Sequence, residues 1–181
     1  MTRHIYVFEP ITEITANRIL QQLIAFDKES KEKITMFINS PGGYVTSLFS
    51  VIDAMNTIAS PVETVVVGEA SSAAAVIAIN GKTRYMTENS HIMIHEVLGG
   101  SIGRFSDNKD HLEYMEKQQN KIVDIIARKA SKTSEEIETV IERKDKYFSP
   151  QEAVNYGLAD QILRRADIST YKLSETLNAD P

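Results

Sequence analysis

The sequence predicts an α/β fold with a mainly parallel sheet, flanking helices and one long projecting helix, and two observations carry that expectation. Short β-branched or aromatic runs (Ile5–Phe8, Ile34–Ile38, Val62–Val67 and Ile92–Ile94) alternate with stretches whose apolar residues return every three or four positions. The runs are also nearly continuous in apolar character, the pattern of strands buried on both faces. Such an order implies right-handed crossovers and gathers the loops that follow the strands on one edge, where ligands usually bind.

Taken in order, Ile5–Phe8 is the first strand, and Ala16, Ile19, Leu20, Leu23 and Ile24 give the first helix its apolar stripe. Strand Ile34–Ile38 opens into the loop Asn39–Gly43, and Leu48, Ile52, Met55 and Ala59 mark a second helix. Strand Val62–Val67 opens into a second candidate reactive loop, Gly68–Ser72, ahead of the longest wholly apolar run, Ala73–Ile79. After strand Ile92–Ile94 the texture changes. Asp107–Lys129 reads as a long helix with widely spaced apolar positions (Leu112, Met115, Ile122, Ile126), expected to project from the core. Thr133 to Glu136 and Ser149 to Glu152 have capping-box spacing, with Pro150 at a first helical position and Gly157 placed to end that helix. We expect one domain over residues 1–163, with a head at about 1–96 and 131–163, a handle at about 97–130, and a polar tail over 164–181.

Composition excludes several functions. The 181 residues with 42% hydrophobic content supply one substantial core. A net charge of −5 with scattered basic residues gives no stripe for a phosphate backbone, so nucleic acid is not an expected partner. The absence of cysteine removes disulfides, thiolate zinc sites and thiol nucleophiles. The first residues lack the layout of a signal peptide and no apolar run is long enough to span a bilayer, so the expectation is a cytoplasmic protein without a membrane partner.

The chemistry is sought in three places. Ser72 stands where a strand turns into an apolar helix, and the unpaired N–H groups of a helix start can stabilise a developing oxyanion. Taken alone, a Ser-Ser before an apolar helix reads far more often as a helix cap than as a nucleophile. His95 ends an apolar strand, where a hydrogen-bonded core histidine is the ordinary alternative; His91 shares its strand face, but no third ligand completes a metal site. Asp145 sits in the charged run Glu142–Lys146, which by composition is a solvated surface. Lys82 and Arg84 beside Gly81 read as turn chemistry rather than an anion site.

Together these segments are more specific. Ile38–Gly43 (Ile-Asn-Ser-Pro-Gly-Gly), Gly68–Ser72, Met93–His95, Leu98–Gly100, and Asp145–Ser149 followed by Glu152–Asp160 resemble, in that order, the motifs of the proteolytic subunit of the Clp protease, the ClpP family. The resemblance implies a ClpP/crotonase-like fold and a serine endopeptidase acting on unfolded polypeptides or short peptides. It assigns Ser72 as nucleophile, His95 as general base and Asp145 as the carboxylate orienting the base. With the helix-start argument it nominates Gly42, Gly43 and Ala73 for the oxyanion hole. No metal and no cofactor is expected. The implied assembly is a homo-oligomer of two stacked heptamers, with an AAA+ Clp unfoldase as the family's ATPase partner.

The chain departs from the family's pattern in five places, one of them a shorter turn around Asn80–Lys82. Ala73-Ala74 stand where Met-Gly is common, Glu96-Val97 replace a common Gln-Pro, and Thr35 takes a position often aromatic in the family's unfoldase-docking cleft. Strand Ile5–Phe8 begins almost at Met1, without the family's pore-lining N-terminal segment, so weak coupling to an ordinary unfoldase is expected. Two other readings stay open: a catalytically silent ring subunit that keeps the fold, and an acyl-CoA enzyme of the related crotonase type.

Overall fold

The computed structural model describes residues 2–164. The predicted alternation is present. Strand β1 (His4–Val7) leads to helix α1 (Glu13–Glu29), β2 (Ile34–Ser40), α2 (Val45–Thr57), β3 (Val62–Ser71) and α3 (Ala73–Ile79). Then come β4 (Arg84–Thr87), β5 (His91–Ile94), α4 (Phe105–Ala130), α5 (Ser134–Ile141), β6 (Lys146–Phe148), α6 (Pro150–Tyr156) and β7 (Gln161–Leu163). All strand pairs are parallel except β5 with β6. The main sheet runs β1-β2-β3-β4-β7, with β5 and then β6 branching from β3.

The branch decides where the site lies. Val62 to Val66 of β3 face β2, and Thr64 to Val66 also pair with β4; the register against β2 then slips between Ile38 and Ser40, opposite Val66 and Ala70. Beyond the slip Ala70 still pairs with Ser40 of β2, while on the other side Glu69 to Ser71 pair with β5 in place of β4. Gly68, at φ 87°, lies in this irregular stretch. The expected reactive loop Gly68–Ser72 is therefore strand as far as Ser71, because a new partner strand takes up its backbone groups.

The core lies between the sheet and its helices, centred on Ile5, Val7, Ile19, Leu23, Met36, Ile38, Leu48 and Ile77. Residues at spacings of three and four on α1 and α2 reach it, whereas Ile24 is exposed and Ala59 falls beyond the end of α2. The expectation that the strands are buried on both faces fails at β1. Tyr6 and Phe8 lie on an open face, where Tyr6 stacks on Phe37 at 5.6 Å, because β1 is an edge strand whose helices cover the other side.

The long helix also differs from expectation. Its buried residues, Gln118, Ile122, Val123, Ile125, Ile126, Ala127 and Ala130, all lie in the second half, while Leu112 in the first half is open to solvent. Both capping boxes form, at Thr133 with Glu136 and at Ser149 with Glu152, and Gly157 ends α6. Strands β4, β6 and β7 have no counterpart among the expected strands. Of the polar tail, residues 165–181 lie outside the described residues.

Candidate active site

Ser72 is the corner between β3 and α3. Its N–H donates to the Met93 carbonyl at 2.8 Å, and its carbonyl accepts the first helical bond, from Val76 N–H, at 3.2 Å. Its backbone lies at φ 53°, ψ −122°, a sparsely populated region for a residue with a side chain that costs on the order of 1–3 kcal/mol. The side chain makes no capping hydrogen bond, although Ser72 occupies the cap position. Ser71 does not cap either: it is buried in β3, its hydroxyl donating to Glu69 Oε2 at 3.3 Å. Neither serine stabilises the helix in the way the capping alternative requires.

The Pro41–Gly43 turn packs against this corner. Ser40 Oγ donates to the Glu9 carbonyl at 2.8 Å and accepts the Gly42 N–H at 3.2 Å, while Ile11 N–H donates to the Gly42 carbonyl at 2.8 Å. Gly42, at φ 94°, fits only because it has no side chain: a Cβ there would lie 2.5 Å from the Ser71 carbonyl oxygen and 2.8 Å from Ser72 Cβ. Among the described residues, the Gly43 and Ala73 N–H groups meet no acceptor, and both residues line the cleft beside Ser72. Helix α3 has only 7 residues, so these local N–H groups matter more than a summed helix dipole.

The antiparallel register of β5 with β6 brings in the other two residues. Ile94 pairs with Lys146, so the next position outward sets His95 opposite Asp145. His95 Nδ1 lies 3.9 Å from Asp145 Oδ1, an ion-pair separation rather than a hydrogen bond. The His95 side chain is 11% exposed and that of Asp145 57% exposed. Ser72, His95 and Asp145 all line one cleft of about 370 Å³, whose apolar wall includes Val45, Leu48, Val76, Leu98, Ile122 and Ile126.

The remaining candidates resolve differently. His91 lies 3.8 Å from Glu69 and packs on the Tyr147 ring, and no metal-holding cluster of His, Asp or Glu occurs among the described residues. Arg84 lies on β4 rather than in a turn, and its guanidinium clasps Asp160 and the carbonyls of Gly157 and Lys129. Thr35 is buried in β2. Sequence reasoning named no partner for Glu96. Glu96 Oε2 accepts the Arg143 N–H at 3.0 Å, across 47 residues, a contact with no local sequence signal. Among the described residues no helix is long and apolar enough to cross a membrane.

The class so defined is an α/β chain with a mostly parallel sheet, flanking helices and a cleft where β2, β3 and β5 end. Residues 1–166 match the family model described as Clp protease, and the chain belongs to that family. Membership implies a protease function.

Proposed function

We propose that the protein is a serine endopeptidase of the ClpP type, in which Ser72 attacks the peptide carbonyl, His95 carries the proton and Asp145 orients the imidazole. The observation that carries the reading is Ser72 itself. A serine held at φ 53° without a capping bond, on a cleft shared with a histidine and a carboxylate, bears a conformational cost that folding alone does not explain.

A serine hydroxyl is a weak nucleophile at neutral pH. An imidazole must take its proton during attack and return it to the leaving amine. With Nδ1 of His95 turned to Asp145, Nε2 is the nitrogen left for the hydroxyl. The 3.9 Å separation closes to a hydrogen bond when substrate fills the cleft and excludes water. The oxyanion is met by the Gly43 and Ala73 N–H groups, while Gly42, its own N–H held by Ser40 Oγ, supplies the space for their approach. The apolar wall accepts an apolar side chain of an extended peptide.

Assembly belongs to the same proposal. Leu98, Ile102, Phe105 and Leu112 are exposed along the glycine-rich stretch and the first half of α4, a surface that calls for a partner. We assign it to contacts between copies of this chain in two stacked heptameric rings, with α4 as the projecting handle.

A fluorophosphonate probe followed by mass-spectrometric mapping tests the site. The label is expected on Ser72, and Ser72→Ala is expected to lose both label and peptide hydrolysis, by on the order of 10⁶ in turnover. Ser71→Ala retains most activity. Label on another serine would sink the assignment, and no label on an assembled protein would favour a silent ring subunit.

A further inference from the structure

We propose that Glu96 is a positioning residue that holds the Asp145 turn against His95. The inference rests on the reading of Asp145 as the partner of His95. The β5–β6 ladder stops at Ile94 and Lys146, one position before the two residues that must meet. Past that point the segments diverge, and side chains replace the ladder. Glu96 Oε2 accepts the Arg143 N–H at 3.0 Å, and Gln119 Oε1 of α4 accepts the Val97 N–H at 2.7 Å. Residues 95–97 are thereby tied on one side to the turn that carries Asp145 and on the other to α4.

The turn needs such a tie. Arg143 has φ 56°, an uncommon conformation for a residue with a large side chain, and Asp145 is more than half exposed, so its own burial fixes it only weakly. The Lys144 N–H bond to the Ile141 carbonyl, at 3.2 Å, closes the turn internally but does not aim it. The Glu96 bond runs beside the 3.9 Å contact between His95 and Asp145 and joins the same two segments. Both carboxylates line the cleft, but the Glu96 side chain is anchored to backbone, which leaves Asp145 as the one facing the imidazole.

The acceptor, not the charge, is what the turn requires, so glutamine serves where alanine fails. Helix α4 presents the apolar Ile122 and Ile126 to the cleft. A comparison of Glu96→Ala with Glu96→Gln removes the same charge twice and the hydrogen bond once.

The test is peptide kinetics on the assembled protein. In Glu96→Ala kcat is expected to fall about 10-fold or more with KM little changed. Glu96→Gln restores it. Added to Asp145→Asn, Glu96→Ala has no further effect. Wild-type kcat in Glu96→Ala, equal damage in the two Glu96 variants, or a further loss on the Asp145→Asn background would each overturn the latch. The arms separate the two claims: wild-type kcat in Asp145→Asn defeats the Asp145 reading itself, whereas a loss there without one in Glu96→Ala defeats only the latch.

Discussion

Gly42→Ala tests whether the glycine turn shapes the site. The new Cβ would meet the Ser71 carbonyl oxygen at 2.5 Å, Ser72 Cβ at 2.8 Å and Ala73 N at 3.0 Å, on a backbone already at φ 94°. None of these atoms is the free end of a flexible side chain, so relief has to come from the corner that carries Ser72. Overpacking costs about 1–3 kcal/mol and the left-handed backbone about 1–2 kcal/mol more. For a chain of this size that total lowers Tm by roughly 5–15 °C. The effect on chemistry is larger in proportion, because a displacement of about 1 Å between reacting groups costs on the order of 10²-fold in rate. The assay compares kcat/KM on a short fluorogenic peptide, the rate of fluorophosphonate labelling and the calorimetric Tm. A Gly42→Ala protein with wild-type labelling and turnover would refute the claim that this turn shapes the corner at Ser72.

Two further predictions concern the scaffold. Arg84 joins β4 to the end of α6 and α4 through Asp160 Oδ1 at 2.5 Å, the Gly157 carbonyl at 2.7 Å and the Lys129 carbonyl at 3.1 Å, a planar fork that lysine cannot reproduce. Burial pushes the Asp160 carboxyl up, but hydrogen bonds from Arg84 outweigh it and hold it below the ordinary aspartate range. With Asp160 partly open to water, Arg84→Lys is expected to cost about 2 kcal/mol, lowering Tm by roughly 4–8 °C, and an unchanged calorimetric Tm would count against the clasp. Asp27 is held at about 2 by Lys31 and by the Ser60 N–H and hydroxyl, from an ordinary value of 3.8. A lowered carboxyl contributes stability above its unfolded value and loses it as pH falls through the folded one, so the advantage of wild type over Asp27→Asn should fade between about pH 4 and 2. Denaturant midpoints across that window measure it, and a gap independent of pH would show that the charge is not the source.

What could be read from the sequence follows from how local each determinant is. The strands Ile34–Ile38 and Val62–Val67 and the helices between them announce themselves by periodicity, because one buried stripe or run sets each element. Strands β4, β6 and β7 escaped because each has only 3 or 4 residues, and β6 opens in a charged run. Their strand character comes from pairing with distant segments, which no local window contains. The same holds in the site. The corner at Ser72 and the turn at Gly42–Gly43 carry local signals in small residues, but Asp145 looks like ordinary surface until the β5–β6 register sets it opposite His95. Its nomination came from family resemblance rather than from its own surroundings.

The branched sheet also explains how stability and site geometry are divided. Residues Val62 to Val66 of β3 belong to the main sheet, with β2 and β4 on either side and the core helices against one face. Past the slip at Gly68, residues Glu69 to Ser71 also pair with the β5–β6 branch of the sheet, which carries Ser72, His95 and Asp145 at its margins. The Gly42 turn comes from β2 of the main sheet, so the cleft is the seam between the two. Strain at Ser72 is tolerable there because the main sheet fixes the chain before the corner and α3, wholly buried, fixes it after. On the other side of the seam, His95 and Asp145 lie just beyond a 3-residue pairing, and Asp145 is more than half exposed, so their spacing is the most easily altered feature of the site. Substitutions in β1, β2 or α1 should therefore change melting before they change turnover, and those in the 94–97 and 142–146 segments should do the reverse.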